Sequence, residues 1–387
     1  MTMNRLLLIE RRPAAISTLY LGTIFILVTG WLPATLGAGI GTASFDALFL
    51  TGSLLMLWRY GAKRDSLLTQ QIFWAGYLAT GFLLAVWIRS VNLLDFAQAY
   101  KFVWYLALLA PFAWAEGAMK PIDFRRLLNI SLVMFFLVYA IKRLLGFDRP
   151  TLIGENNFEL VFLALVYYSA FVAGTKISMA QTLTLLVIVV LSGSRSAAIA
   201  VALAVALTYD FRTRSATKLI GGLIAGAIGI VLALIVFESR SHGGIESIDR
   251  FRFFLMFSES VADWGLFDYL LGADRLTPLP SHVCSSLSYY ASLFSYDNNG
   301  TCYSVILHSF NLRIIYDHGI IIALLAGLYL LRLTRSATLI QRGCLIGIIF
   351  VNGLSVSALN SVYTALGIAF FCLAASANKA EHTHSLE

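Results

Sequence analysis

Apolar runs of roughly twelve to twenty residues, the longer of them sufficient for a membrane crossing, alternate along this chain with short polar caps. The runs extend from about Ala14 to Leu32, Ala43 to Trp58, Gln71 to Val91 and Phe96 to Trp114, the last carrying Lys101 and an expected break at Pro111. They continue from about Leu127 to Leu145, Phe158 to Ala173, Ile177 to Leu191 and Ala197 to Thr208, then through a glycine-rich stretch reaching Phe237. The last three run from about Gly319 to Leu331, Cys344 to Ala358 and Val362 to Ala375. One long polar interval, Glu238 to Tyr303, interrupts the series. The period of the pattern predicts an all-α integral membrane protein of about twelve transmembrane helices with one large hydrophilic loop. The chain divides into N-terminal spans (1–237), the loop with interfacial helices (238–318), C-terminal spans (319–378) and a polar tail (379–387).

Composition sharpens this. Hydrophobic residues make up 59% of the chain and charged residues 13%, where a soluble domain carries about 25% charged residues. The net charge of +7 is not a nucleic-acid signal, because the Lys and Arg residues stand in short caps between apolar runs. Arg59, Lys63 and Arg64, then Lys120, Arg125 and Arg126, and later Arg332, Arg335 and Arg342 follow even-numbered runs, while the odd-numbered connections are poorer, with Lys142 to Arg149 the main exception. By the positive-inside bias both termini are expected in the cytoplasm and the long loop on the opposite, periplasmic side. Of the four cysteines, Cys344 and Cys372 fall in apolar runs, whereas Cys284 and Cys302 share the loop, where an oxidising compartment would permit a disulfide.

On that topology four polar clusters meet on one face: Arg149 with Glu155-Asn156-Asn157, Arg195, the loop, and His308. Arg195 lies in Ser-Gly-Ser-Arg-Ser-Ala between two apolar runs. An arginine near membrane depth normally faces protein, water or an anion, although a snorkelling side chain is the plainer alternative. Arg250 and Arg252, in an aromatic stretch, suit a lipid-linked phosphate through bidentate pairing, or belong to a helix that only rests on the membrane. His308, where the loop re-enters the membrane, is a candidate general base or a structural histidine. Glu155 and Asn157 are suited to sugar hydroxyls, and helix capping is the plainer role for that stretch. The spacing of Asp317 and His318 fits no zinc pattern, and no nucleotide or dinucleotide motif is present. Neither metal nor cofactor is expected.

These motifs resemble the O-antigen polymerase and O-antigen ligase superfamily of inner-membrane glycosyltransferases. Ser192 to Ala197 matches its small-residue-arginine break, and Gly154-Glu155-Asn156-Asn157 its polar helix entry. Arg250 or Arg252, followed by Trp264 and Leu271-Gly272, matches the loop's arginine, aromatic helix and glycine turn. His308 and Ser309, with Leu312, Asp317 and Gly319 four, nine and eleven residues after the histidine, match its His-Asn/Ser pattern. The loop's usual second glycine is replaced in Gly272-Ala273-Asp274.

The resemblance implies a GT-C-like fold and an undecaprenyl-pyrophosphate-linked glycan as donor. The acceptor would be another lipid-linked repeat unit for a polymerase, or the lipid A core or a protein hydroxyl for a ligase. The convergence of the polar clusters on one face leads us to expect Arg195 with Arg250 or Arg252 at the pyrophosphate, His308 at the acceptor hydroxyl, and Asp317 as an orienting or substrate-binding acid. Membrane lipids, and for a polymerase a chain-length regulator, would be partners. The polymerase reading leads, because polymerases vary most and often lack the second glycine. A flippase is the rival of another class, against which stands the absence of a visible inverted repeat.

Overall fold

The computed structural model describes residues 14–30, 41–60, 66–115, 117–208 and 249–384, and of residues 195, 249, 250 and 378–384 it describes the backbone alone. The glycine-rich run to Phe237 and the first part of the loop, with Arg240 and His242, lie outside the described residues. Secondary structure among the described residues is helical. Backbone groups in lipid must satisfy one another, and a helix does so within a single segment.

The chain order is α1 (Ala14–Thr29), α2 (Thr42–Tyr60), α3 (Ser66–Phe82, extended by a π-helical turn, Leu83–Ile88), α4 (Leu93–Ala99), α5 (Lys101–Trp114) and α6 (Pro121–Leu144). Then come α7 (Asn156–Val172), α8 (Met179–Ser192), α9 (Arg195–Thr208), α10 (Asp249–Ser260), α11 (Leu266–Leu271) and α12 (Ser281–Ser286). The last are α13 (Phe310–Leu333), α14 (Leu339–Gly353) and α15 (Val362–His384). Helix starts follow local chemistry. Ser178 with Gln181, and Thr338 with Gln341, form reciprocal capping boxes before α8 and α14. Asn92 accepts from Leu94 N at 2.9 Å to start α4.

Among the described residues, Ser66–Ile88, Pro121–Leu144 and Phe310–Leu333 are long and apolar enough to cross a membrane, and the bent pair α4–α5 would make a fourth. Six shorter apolar helices accompany them. Two expectations are corrected. Pro111 sits inside α5 without ending it; the bend of 58° falls instead at Tyr100 between α4 and α5. The run expected from Gly319 begins at Phe310, and Gly319 is a kink within it. The polar residues Asn311, Arg313, Asp317 and His318 conceal the apolar period there.

The core is built around α7 and α15, which pack closely through Gly367 and Leu165. Contacts between helix ends fix the bundle's polarity. Asn156 at the start of α7 bonds the end of α8. Ser309, before α13, bonds Gly353 at the end of α14. Asn360, before α15, bonds the α4–α5 bend through Phe102 N and Gln98 O. The Glu155–Asn157 entry, the Ser192–Ser196 break, the His308 turn and the loop therefore share one end of the bundle.

The described part of the loop forms a module with its own core: Phe253, Met256 and Phe257 of α10 pack with Leu279, Val283, Leu287 and Ile306. A disulfide joins Cys284 to Cys302 within it.

Candidate functional site

Two motifs separated by some forty residues of sequence are joined by side chains. Gly193 takes the left-handed conformation (φ 59°) that ends α8. The Ser194 hydroxyl receives Ala197 N at 3.2 Å as α9 begins. Asn157 Oδ1 accepts from Ser194 Oγ and, at 3.4 Å, from Ser196 Oγ, while Asn156 Nδ2 donates to Ser192 O at 3.1 Å. The paired asparagines thus hold the break rather than cap their own helix. Glu155 occupies the cap position of α7 without a side-chain capping bond. Its carboxyl is raised above the ordinary value, first by loss of surrounding water and then by Glu159. Arg195 opens α9, and its side chain lies outside the described residues. Arg149 is exposed on the connection before α7.

Because Asn157 is the shared acceptor of Ser194 and Ser196, Asn157→Ala should loosen the break. A loss of about 1–3 kcal/mol is expected for stranded buried hydroxyls. A lowered thermal midpoint in detergent would register it, and an unchanged midpoint would remove this role.

The connection that presents these asparagines is wound on one carboxyl group. Glu159 is fully buried and accepts from Leu152 N at 2.7 Å, Ile153 N at 2.6 Å, Gly154 N at 2.6 Å and the Tyr139 hydroxyl at 2.9 Å. Sequence reasoning missed it. The available signal was an acid inside an apolar run, where an ionisable residue is expensive and needs a named partner.

His308 stands on a constrained turn. A 3₁₀ turn, Ser304–Leu307, leads into His308 in the left-handed region (φ 52°), and Ser309 caps α13 while donating to Gly353 O at 3.0 Å. Phe310 N donates to Val356 O at 3.0 Å. The imidazole is half-buried, 5.3 Å from the Phe253 ring and 6.3 Å from the Tyr290 ring. The Asp317 carboxyl, 3% exposed, accepts from Ser304 Oγ. Its contact is with the residue that begins the His308 turn, and Arg313, also 3% exposed, lies one helical turn before it. The sequence pattern after His308 thereby acquires a physical content: Ser309 caps, Leu312 packs on the loop core, and Asp317 holds the turn's first residue.

Gly319 and Gly272 complete this arrangement. Both have positive φ (77° and 78°), and each backbone lies directly against the other. A Cβ on Gly272 would stand 2.6 Å from Gly319 N and 2.7 Å from His318 N. Ala273 N donates to Tyr316 O at 2.7 Å across the same contact. The loop's glycine turn is therefore the seat on which α13 kinks.

Further polar contacts fasten the module to α3–α4. Arg89 reaches Asp274 at 2.6 Å, Asn92 reaches Asp297 at 2.7 Å, and Asp95 accepts from Ser295 Oγ at 2.6 Å. Arg275 lies over the Tyr77 ring at 4.7 Å, and the Tyr77 hydroxyl meets His318 Nδ1 at 2.9 Å. Arg252 is exposed and bonds Ser286 O of the module itself. The side chain of Arg250 lies outside the described residues.

α14 links the two halves of the site. It packs on α9, with Gly347 beside Leu203, and its C-terminus holds the His308 turn through Gly353. Comparison with protein-family models gives no match, and comparison with curated proteins likewise finds no similar sequence.

Proposed function

We propose that the chain is a membrane glycosyltransferase of about a dozen spans, GT-C-like, that polymerises lipid-pyrophosphate-linked oligosaccharide units on the periplasmic face of a bacterial inner membrane. The observation that carries this reading is the gathering of the Ser192–Ser196 break, its asparagine clamp, the His308 turn and the loop module at one end of the bundle. In the proposed reaction the acceptor hydroxyl attacks the donor's anomeric carbon from the face opposite the leaving group. The bond from that carbon to the pyrophosphate oxygen breaks, the lipid pyrophosphate departs, and the configuration inverts. His308 takes the hydroxyl proton. Arg195, with Arg250 or Arg252, stabilises the charge that develops on the pyrophosphate. Arg149, Glu155 and Asn157 line the approach for sugar hydroxyls, and Asp317 serves as a positioning residue through Ser304.

The test is transfer by purified protein given only lipid-pyrophosphate-linked repeat units, with a chelator present. Wild type should lengthen the glycan. His308→Ala and Arg195→Ala should each lower the rate by about 10²–10³-fold, as loss of a general base or an oxyanion donor does elsewhere. Activity that appears only on adding a lipid A core would identify the ligase instead. Full activity in both variants would remove the site.

A further inference from the structure

α11 is a helix of the loop module that buries none of its side chains. Leu266 is 72% exposed, Phe267 75% and Leu271 58%. At about 3.6 residues per turn these positions share one face with the half-buried Leu270. Asp268, on the other side, turns back to accept from Gly265 N at 2.8 Å. α10, the aromatic stretch whose sequence suits a helix resting on the membrane, instead spends Phe253, Met256 and Phe257 on the module's core. Large apolar side chains gathered on one face of so short a helix mark a surface that something apolar covers.

Two helices of membrane-spanning length and hydropathy, Ser66–Ile88 and Phe310–Leu333, fix the level of that face. The first stays apolar as far as Trp87 and Ile88, both exposed. The next residue, Arg89, binds Asp274, two positions beyond the glycine that ends α11. On the second, Tyr316 to Gly319 are buried, and a bare apolar surface starts at Ile320 and runs on through Leu324 and Leu328. Gly319 is the residue on which the Gly272 backbone rests. α11 therefore lies where the module's cover ends and the outward apolar side chains of both helices begin. Trp264, just before α11, stacks on Tyr316 with ring centres 5.4 Å apart, and such rings collect at the boundary of membrane and water. No Lys or Arg occurs from Ala262 to Ala273. Arg89 and Arg275, at the edge of the contact, are taken up by Asp274 and the Tyr77 ring. The face is therefore suited to acyl chains and offers nothing to an anionic headgroup.

We propose that α11 is an interfacial helix whose Leu266, Phe267 and Leu271 enter the lipid leaflet on the loop's side, to the boundary between headgroups and acyl chains. Apolar burial seats it there, without help from headgroup charge. The helix thereby holds the module at a fixed height over the bilayer. Through Gly272 on Gly319 that height passes to the kink of α13, and from Asp317 to Ser304 at the start of the His308 turn. The inference does not depend on the glycosyl-transfer reading, and its test reads depth in the bilayer rather than catalysis.

The experiment places the full chain in phosphatidylcholine nanodiscs, with a fluorescent amino acid in place of Phe267 or Leu271 so that the native cysteines are untouched. A third preparation carries it in place of Leu328, on the outward face of α13. Lipids bearing a nitroxide near the glycerol end of the acyl chain should quench the labels on α11 several-fold more than aqueous iodide does. They should also quench them more than lipids with the nitroxide at the methyl end, which should act best on the label at Leu328. Leu266→Asp, a change at an exposed position, should turn the Phe267 label toward iodide. It should leave the Leu328 label as it was, which reports a folded chain. Adding phosphatidylglycerol should not deepen the α11 labels. Stronger quenching of those labels by iodide than by either lipid would overturn the proposal. So would protection from both quenchers, the sign of a second copy or another protein on this face. An unchanged Phe267 label in the folded Leu266→Asp variant, or a deeper one on phosphatidylglycerol, would overturn it as well.

Discussion

Gly319→Ala should leave little folded protein, and Gly272→Ala should behave alike. Each glycine combines a positive φ with an extended ψ (169° at Gly319, 174° at Gly272), a region essentially closed to L-residues, at a cost of about 1–3 kcal/mol. The larger cost is steric. A Cβ on Gly319 would run into Leu270 O and stand 2.5 Å from both Gly272 N and Leu271 C, all of them backbone atoms that cannot rotate aside. Relief requires the loop module and α13 to separate, which also breaks the Ala273–Tyr316 bond. A total above about 4 kcal/mol is expected, a large share of the roughly 5–15 kcal/mol that stabilises a typical domain. Gly327→Ala is the matched control, since its Cβ would meet nothing within 4 Å. The yield of monodisperse protein and the thermal midpoint in detergent should fall sharply for the first two variants only. Midpoints equal to that of Gly327→Ala would show that the contact between loop and helix does not govern the fold.

Loss of the Glu159 carboxyl should be the next most damaging change. Glu159→Ala strands three backbone N–H groups, of Leu152, Ile153 and Gly154, together with the Tyr139 hydroxyl. Each stranded buried donor costs about 1–3 kcal/mol. Water entering the new cavity recovers part of this, so a net loss of about 4 kcal/mol is expected. Glu159→Gln keeps one acceptor oxygen and should fall between that variant and wild type. The effect should extend to the site, because the same connection delivers Asn156 and Asn157 to the Ser192–Ser196 break. Hydrogen exchange over residues 150–157 should rise in Glu159→Ala. A change below about 0.5 kcal/mol, the ordinary range for a surface substitution, would deny Glu159 this role.

Both predictions turn on residues whose importance the sequence states only in part. Gly319 is legible as a position in a spaced pattern after His308, yet the pattern does not say why glycine is required. The reason is a second glycine, forty-seven residues earlier, whose backbone must pass within contact distance. Glu159 is legible as an acid where acids are costly, and its partners are backbone groups that no sequence pattern names. The cysteines are the contrary case. Cys284 and Cys302 share a loop expected in an oxidising compartment, and there the short separation was enough to suggest the bond the structure contains.

The amino-acid order already dictates the helical, apolar character of the chain, because hydrocarbon leaves a backbone little choice but to satisfy its own hydrogen bonds. It also determined the single long polar interval and the residue types that gather at one end of the bundle. Packing alone puts α15 in the interior and leaves much of α3 facing outward, since a helix apolar all round suits a protein core and a bilayer alike. It likewise decided that α13 begins at Phe310. The polar face of its first turns, Arg313 and Asp317 among them, is buried against Ser304 and Ser357, so a polar stretch that reads as loop is helix. The bend at Tyr100 rather than Pro111 has the same origin. Lys101 and Tyr105 turn to Asp46 of α2, and Asn360 ties down the bend from the other side. Such contacts depend on partners brought from distant parts of the chain, and local periodicity carries no record of them.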